Sequence, residues 1–199
     1  MARGSASDQQ FALDGFEAAP PARDSLFFAV LPESAAAARI AALAQSLRDE
    51  HGLRGRPLRT DRLHATLHPF GVYPGLPPEL VALARQAAAS IELPPFEIEF
   101  DRVLSFRRAR NRPLVLCGGE RLAPLQALQQ ALVTAVCARG RRPPTEALYT
   151  PHVTLLYDDH GVEELAVEPI TWTVREFVLM HSLVGQSLHV ALGRWPLRG

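Results

Sequence analysis

The chain has 199 residues, 21 of them acidic and 21 basic, and a formal net charge of zero. This length can bury a sizeable core as one large domain or two small lobes, and the charge balance excludes a global field aimed at a highly charged polymer. No apolar run approaches the ~18 residues of a membrane span, and the basic residues are all arginine.

Residues 1–23 mix Asp, Glu, Gln and Gly without the apolar core of a secretory signal, so they read as a flexible tail ahead of one ordered domain over 24–199. "SLFFAVL" (25–31) is an apolar run typical of a strand covered on both faces. Pro32 and Glu33 open an Ala-rich helix to about Glu50, with Ile40, Leu43 and Leu47 at helical spacing. An Arg- and Gly-rich loop leads to a strand at Leu63–His68, and a Pro-rich turn leads to a second helix ending near Ser90. "FEIEFDRVLSF" (96–106) alternates at period two as a half-exposed strand, and "RRARNR" links it to a strand at Leu114–Cys117. A third helix covers Leu122–Ala138, and a strand follows at His152–Tyr157. "ITWTVREFVLMHSLV" reads as one long strand, and "SLHVAL" closes the set. So many strands with three helices predict an α+β protein of two pseudo-symmetric, mainly antiparallel sheets with helices on their outer faces. Cys117 and Cys137 sit in apolar contexts and read as small buried hydrophobes rather than a disulfide. The composition suits a soluble cytoplasmic protein, and nothing in it calls for more than a monomer.

One tetrapeptide occurs twice. "RLHATLHPFG" contains His64-Ala65-Thr66-Leu67, and "PHVTLLYDD" contains His152-Val153-Thr154-Leu155. Strand side chains alternate between faces, so His64, Thr66 and His68 are expected on one face, and His152, Thr154 and Leu156 on one face of the other strand. Val153, Leu155 and Tyr157 are then expected on the opposite, core face. If the two polar faces meet across a cleft, two imidazoles and two hydroxyls surround one small space. Imidazole titrates near neutrality, so one ring can start as general base and the other as general acid. Threonine hydroxyls can hold an anionic oxygen. The set suits in-line attack on a phosphodiester without a metal. The sharpest rival is zinc, but no Cys pair, His-Glu-x-x-His or acidic cluster supplies the remaining ligands, so no metal and no cofactor are expected.

These segments resemble the paired His-x-Thr-x motifs of the two-histidine phosphoesterase superfamily, in its branch of bacterial 2′-5′ RNA ligase-like, RNA 2′,3′-cyclic phosphodiesterases. The likeness covers residues 25–197 and includes "LFFAVLP", Gly71 after the first motif, Tyr149 before the second, and "LGRWPL". It implies a bilobal fold with a central cleft, opening of a 2′,3′-cyclic phosphate to a 2′-phosphate, and 2′-5′ ligation as the reverse reaction. RNA ends or small nucleotides bearing a cyclic phosphate would be the partners. By motif position, His64 would be the acid, His152 the base, and Thr66 and Thr154 the phosphate ligands. The chain departs from the family in having Tyr157-Asp158 where an Arg is common, and His189 where a Tyr is common. The alternatives are the same chemistry on another small cyclic nucleotide, or an idle RNA-binding module.

Other residues leave two readings open. Phe70, Tyr73 and Tyr149 flank the motifs and could stack a base or fill the core; Phe70 and Tyr149 join the candidate substrate-binding set. Arg107, Arg108, Arg110 and Arg112 could grip a backbone or form a solvated loop, and Arg141 and Arg142 divide likewise. His181 reads as structural, His51 and His160 as solvated, and Gly118-Gly119 as a turn.

Overall fold

The computed structural model describes residues 23–141, 149–185 and 188–199. The expected tail lies outside them except for Arg23, which already belongs to the first strand. The elements are β1 (Arg23–Val30), α1 (Ser34–Glu50), β2 (Ala65–Tyr73), α2 (Pro78–Ala88), β3 (Phe96–Ser105), β4 (Arg112–Cys117), α3 (Ala123–Cys137), β5 (His152–Asp158), β6 (Leu165–Val174), β7 (Glu176–Val184) and β8 (Leu188–Pro196). The single long strand expected near the C-terminus is two strands, β6 and β7, parted at Arg175. β6 pairs with β3, whereas β7 lies between β1 and β8. Apolar alternation runs through the break because it registers burial and not the identity of the neighbouring strand.

The fold is α+β, with one antiparallel eight-stranded sheet in the order β6-β3-β4-β5-β2-β1-β7-β8 instead of the two sheets expected. At the centre, β2 and β5 are bridged by one residue pair, Ala65 with Val153, while every other junction runs over several pairs. The four strands on either side of this seam are arranged alike, with a motif strand innermost in each. The helices compensate for the thin seam by crossing it. α1, which connects β1 to β2, packs on β5 and β6, and α3, which precedes β5, packs on β2. Arg39 of α1 also donates to the Pro169 carbonyl in β6 at 2.8 Å.

Helical periodicity builds the covered face. Ile40, Ala44 and Leu47 of α1, Leu80, Ala84 and Ala87 of α2, and Leu125, Leu128, Leu132 and Val136 of α3 are buried in one core cluster with the inward strand residues. β1 is apolar on both faces because both are used. Leu26, Phe28 and Val30 enter that core, while Phe27 and Ala29 form a smaller cluster with Val178 and Met180. Cys117 is buried as expected; Cys137 is exposed, a correction that follows from its place as the last residue of α3.

Both motif strands bulge at the same position. β2 slips against β1 so that Ala29 faces Thr66 and Phe28 faces His68, leaving Leu67 unopposed. β5 slips against β4 so that Val115 faces Thr154 and Leu114 faces Leu156, leaving Leu155 unopposed. The fourth residue of each tetrapeptide is thus the extra residue of a bulge, and side-chain alternation reverses beyond it. Two expectations are corrected. His68 does not share a face with His64 and Thr66: it lies opposite the core residue Phe28, is 2% exposed, and meets the edge of Phe70 at 4.8 Å. In the other strand, Leu156 joins Leu155 in the core, while Tyr157 turns outward and is 41% exposed.

Candidate active site

The seam carries the repeated histidines. His64 follows a short 3-10 turn, Thr60–Arg62, and stands one residue before β2; His152 is the first residue of β5. Antiparallel pairing about Ala65 and Val153 runs His64 alongside Thr154, and Thr66 alongside His152. The two histidines and two threonines are all half-buried, and the structure brings this predicted quartet together.

The two imidazoles are held identically. His64 Nδ1 lies 2.8 Å from the Arg62 carbonyl, and His152 Nδ1 lies 2.8 Å from the Thr150 carbonyl, in each case two residues upstream. A carbonyl only accepts, so each Nδ1 carries a hydrogen and each Nε2 is the atom left to exchange a proton. Aromatic walls fix the rings. His64 stacks on Phe27 at 5.0 Å and meets His189 edge-on at 5.4 Å, while His152 meets the edge of Phe106 at 4.8 Å.

Burial pushes the His64 pKa below its ordinary value against the Arg62 carbonyl, and the charges of Arg62 and His152 push it the same way. Burial also lowers His152, opposed by its bond to Thr150. His189 is pushed down to about 4 by burial, then by Arg62 and His64, against Asp61. His68, buried and near Arg141, also falls to about 4. Neutral imidazole is therefore the resting form of this cluster near neutrality.

The remaining candidates divide. Phe70 is 2% exposed and packed edge-on against Phe28 at 5.4 Å, so it offers no face to a base, and its place among the substrate-binding residues is corrected. Tyr73 donates to the Phe70 carbonyl at 2.7 Å, and Arg141 donates to the Tyr73 hydroxyl and to the same carbonyl. Tyr73 and Arg141 thus occupy one another at the end of β2, where Gly71 at φ 123° leaves space for the Tyr73 ring. Arg142 lies outside the described residues. Tyr149 is half-buried, with its hydroxyl shielded from water and unpartnered among the described residues, and burial pushes its pKa up. His181 is structural as expected, bonded to buried Asp24 at 2.5 Å. His160 is not merely solvated, since its N–H and Nδ1 both meet Asp158.

Sequence reasoning missed Phe27, Phe106 and Arg62 as neighbours of the imidazoles. The signal for Phe27 was present, because an apolar residue on the outward face of β1 needs something to cover it. Asp158 was also missed as an anchor. Its buried carboxylate accepts from the N–H groups of Arg54 (2.6 Å), Gly55 (2.7 Å) and His160 (2.8 Å). Burial alone would raise its pKa, but these donors outweigh it and hold the group down at about 2. Among the described residues, no three His, Cys, Asp or Glu side chains group closely enough to hold a metal ion, and no helix is long and apolar enough to cross a membrane.

A sequence profile described as the 2′-5′ RNA ligase superfamily matches residues 31–186. No curated protein sequence matches significantly. Among solved structures, E. coli LigT complexed with 3′-AMP is similar at 27% identity and a TM-score of 0.68, over 89% of this chain and 99% of that one. A protein described as a phosphoesterase is similar at 27% identity and a TM-score of 0.66, over 88% and 99%. TT0787 of Thermus thermophilus, at 21% identity and a TM-score of 0.68 over 88% and 98%, shares the fold. With the paired histidines at its seam and a profile match over most of its length, the chain belongs to the 2′-5′ RNA ligase superfamily.

Proposed function

We propose that the protein is an RNA 2′,3′-cyclic phosphodiesterase that leaves a 2′-phosphate, able in reverse to join RNA ends 2′-5′. Membership of the superfamily supports an enzyme acting on phosphodiester bonds. The observation that carries the finer reading is the matched pair of imidazoles, each with Nδ1 tied to a carbonyl at 2.8 Å and Nε2 without a hydrogen-bond partner among the described residues. His152 Nε2 takes a proton from water as the oxygen attacks phosphorus. The bond from phosphorus to the ribose 3′ oxygen breaks, and that oxygen takes the proton carried by His64 Nε2. Thr66 and Thr154 donate to the non-bridging oxygens, so charge developing on the phosphorane is met by fixed hydroxyls. The likeness to LigT bound to 3′-AMP supports a ribonucleotide at this site. The two imidazoles carry both proton transfers, so the scheme uses no metal or cofactor.

The test is hydrolysis of a nucleoside 2′,3′-cyclic phosphate with chelator present, the product's phosphate position being read by NMR. A 2′-phosphate is expected; a 3′-phosphate, or no turnover, counts against the assignment. The pH profile is a second check. The active free enzyme has His152 neutral and His64 protonated, so kcat/KM falls on both sides of the mean of their pKa values. Both lie below the ordinary 6.5, so the maximum is expected on the acid side of pH 6.5. A maximum near 8 would contradict the assigned roles.

A further inference from the structure

The bulge in β5 has a second effect. Alternation reverses at Leu155, so Tyr157 comes out on the face of His152 and Thr154, about 10 Å along the strand from Thr154 at ~3.3 Å per residue. An arginine-bearing loop flanks it on each side. On the seam side the loop from Arg54 runs along β5. Leu58 N–H donates to the Leu155 carbonyl at 2.7 Å, and Gly55 presses so close that a Cβ there would lie 2.0 Å from the Tyr157 carbonyl oxygen. On the β4 side, Pro113 pairs with Tyr157, and the hairpin ahead of it is tied down by Asn111 N–H donating to Asp159 Oδ1 at 2.8 Å. That hairpin starts at Phe106, whose ring touches His152. Two adjacent aspartates at the end of β5 thus pin both loops beside one exposed aromatic ring.

The charge of this region differs from that of the whole molecule. Residues 54–62 and 107–112 hold eight of the 21 basic residues. Against Asp61, Asp158 and Asp159 they leave a formal charge of +5, in a chain whose total is zero. Asp61 is paired with Arg59 at 2.8 Å, and Arg112 bonds the Arg108 carbonyl. Arg54, Arg56, Arg107, Arg108 and Arg110 are exposed, and their guanidinium groups have no carboxylate partner among the described residues. Unpaired guanidinium groups on both sides of an exposed aromatic ring match single-stranded nucleic acid, whose phosphates bind arginine and whose bases stack on aromatic faces.

We infer that this end of β5 is a track for the RNA chain behind the reacting end. Tyr157 would stack a base, and the two arginine loops would hold the phosphates upstream of the cyclic phosphate. The inference rests on the phosphodiesterase reading and adds to it the surface that holds the chain upstream of the reacting end, through Tyr157 and the two arginine loops, so that this surface favours RNA over a mononucleotide. The experiment compares kcat/KM on a nucleoside 2′,3′-cyclic phosphate with kcat/KM on a single-stranded RNA of about ten nucleotides ending in one. The parent protein is expected to prefer the RNA by at least about tenfold at low salt, with the preference falling as salt rises. In the triple variant Arg107→Gln, Arg108→Gln, Arg110→Gln, the ratio of RNA to mononucleotide kcat/KM should drop about tenfold, and the salt slope should shrink by about 2, at ~0.7 per phosphate contact on a single strand. Tyr157→Ala should lower the ratio with the salt slope intact. No preference in the parent, or a ratio and slope unmoved in both variants, overturns the track. Competition by polyglutamate equal to that by RNA overturns the role of Tyr157, because that polymer has charge and no bases. If the parent turns over neither compound, the phosphodiesterase reading itself fails. Fluorescence anisotropy of the same labelled RNA then still decides the track, with weaker binding in the variants upholding it and unchanged binding overturning it.

Discussion

His152→Ala should cut kcat on a nucleoside 2′,3′-cyclic phosphate by roughly 10²–10⁴-fold, the usual contribution of a positioned general base, with little change in substrate affinity. His64→Ala should show a loss of the same order. The two are separated by the leaving group. His64 protonates a departing alkoxide, so a phosphodiester with a nitrophenolate leaving group, which departs without a proton, should restore much of the rate to His64→Ala. It should restore nothing to His152→Ala, because the attacking water still needs its base. Rescue of His152→Ala instead would exchange the two roles. Rescue of neither would mean that the imidazoles serve binding or structure. A loss confined to KM in both variants would support the alternative of an idle RNA-binding module. The resting pKa values bear on this result. Arg62 and His152 both disfavour a protonated His64 in the free protein, and an anionic phosphate entering between them opposes that effect, so the substrate itself helps to charge the acid.

Asp158→Ala should be the most damaging substitution away from the imidazoles. It removes the acceptor for the N–H groups of Arg54, Gly55 and His160 and leaves these part-buried donors without their partner. Hydrogen bonds to a charged group contribute about 1.5–3 kcal/mol each but do not add in full where three donors share one carboxylate and can partly reach water once it is gone, so a loss of roughly 3–5 kcal/mol is expected. At about 2–4 °C per kcal/mol for a chain of this size, Tm should fall by at least about 6 °C. Asp158→Asn keeps one acceptor oxygen and should fall between the two. The carboxylate pKa is held at about 2 in the folded chain, below its unfolded value. Its contribution is therefore complete above the ordinary carboxylate range and is lost as pH falls through that range toward 2. The gap in stability between parent and Asp158→Ala should accordingly be full at pH 7 and narrow on acidification. A gap that does not depend on pH would mean that shape, not charge, holds the loop. Because that loop continues through Arg62, whose carbonyl fixes the His64 ring, the substitution should also lower kcat, though less than either histidine variant.

The repeated His-x-Thr-Leu determined a great deal by itself. An amphipathic strand puts its polar residues on one face, so the quartet His64, Thr66, His152 and Thr154 was legible, as were the three helices, whose apolar spacing carries its own period. His68, Tyr157 and Phe70 were not, and the same local cause accounts for the first two. A bulge is set by how a strand pairs with its neighbour, β1 for β2 and β4 for β5, and neither neighbour adjoins its motif in the sequence. One unopposed leucine in each strand reversed the alternation, burying His68 and exposing Tyr157. Phe70 was ambiguous in sequence because a large aromatic suits a core or a ligand equally, and only its packing on Phe28 decided between them. The joining of the halves into one sheet rests on a single bridge and on helices that cross to the other side. Nothing in the sequence marked Asp158 as an anchor, because the loop from Arg54 that lies against it is about 100 positions away in the chain. Residue identity and spacing determined which groups can do chemistry, because side-chain type and strand period are local properties. Which of them meet, and what holds them, was decided by tertiary structure, because pairing register and burial join residues about 90 to 100 positions apart.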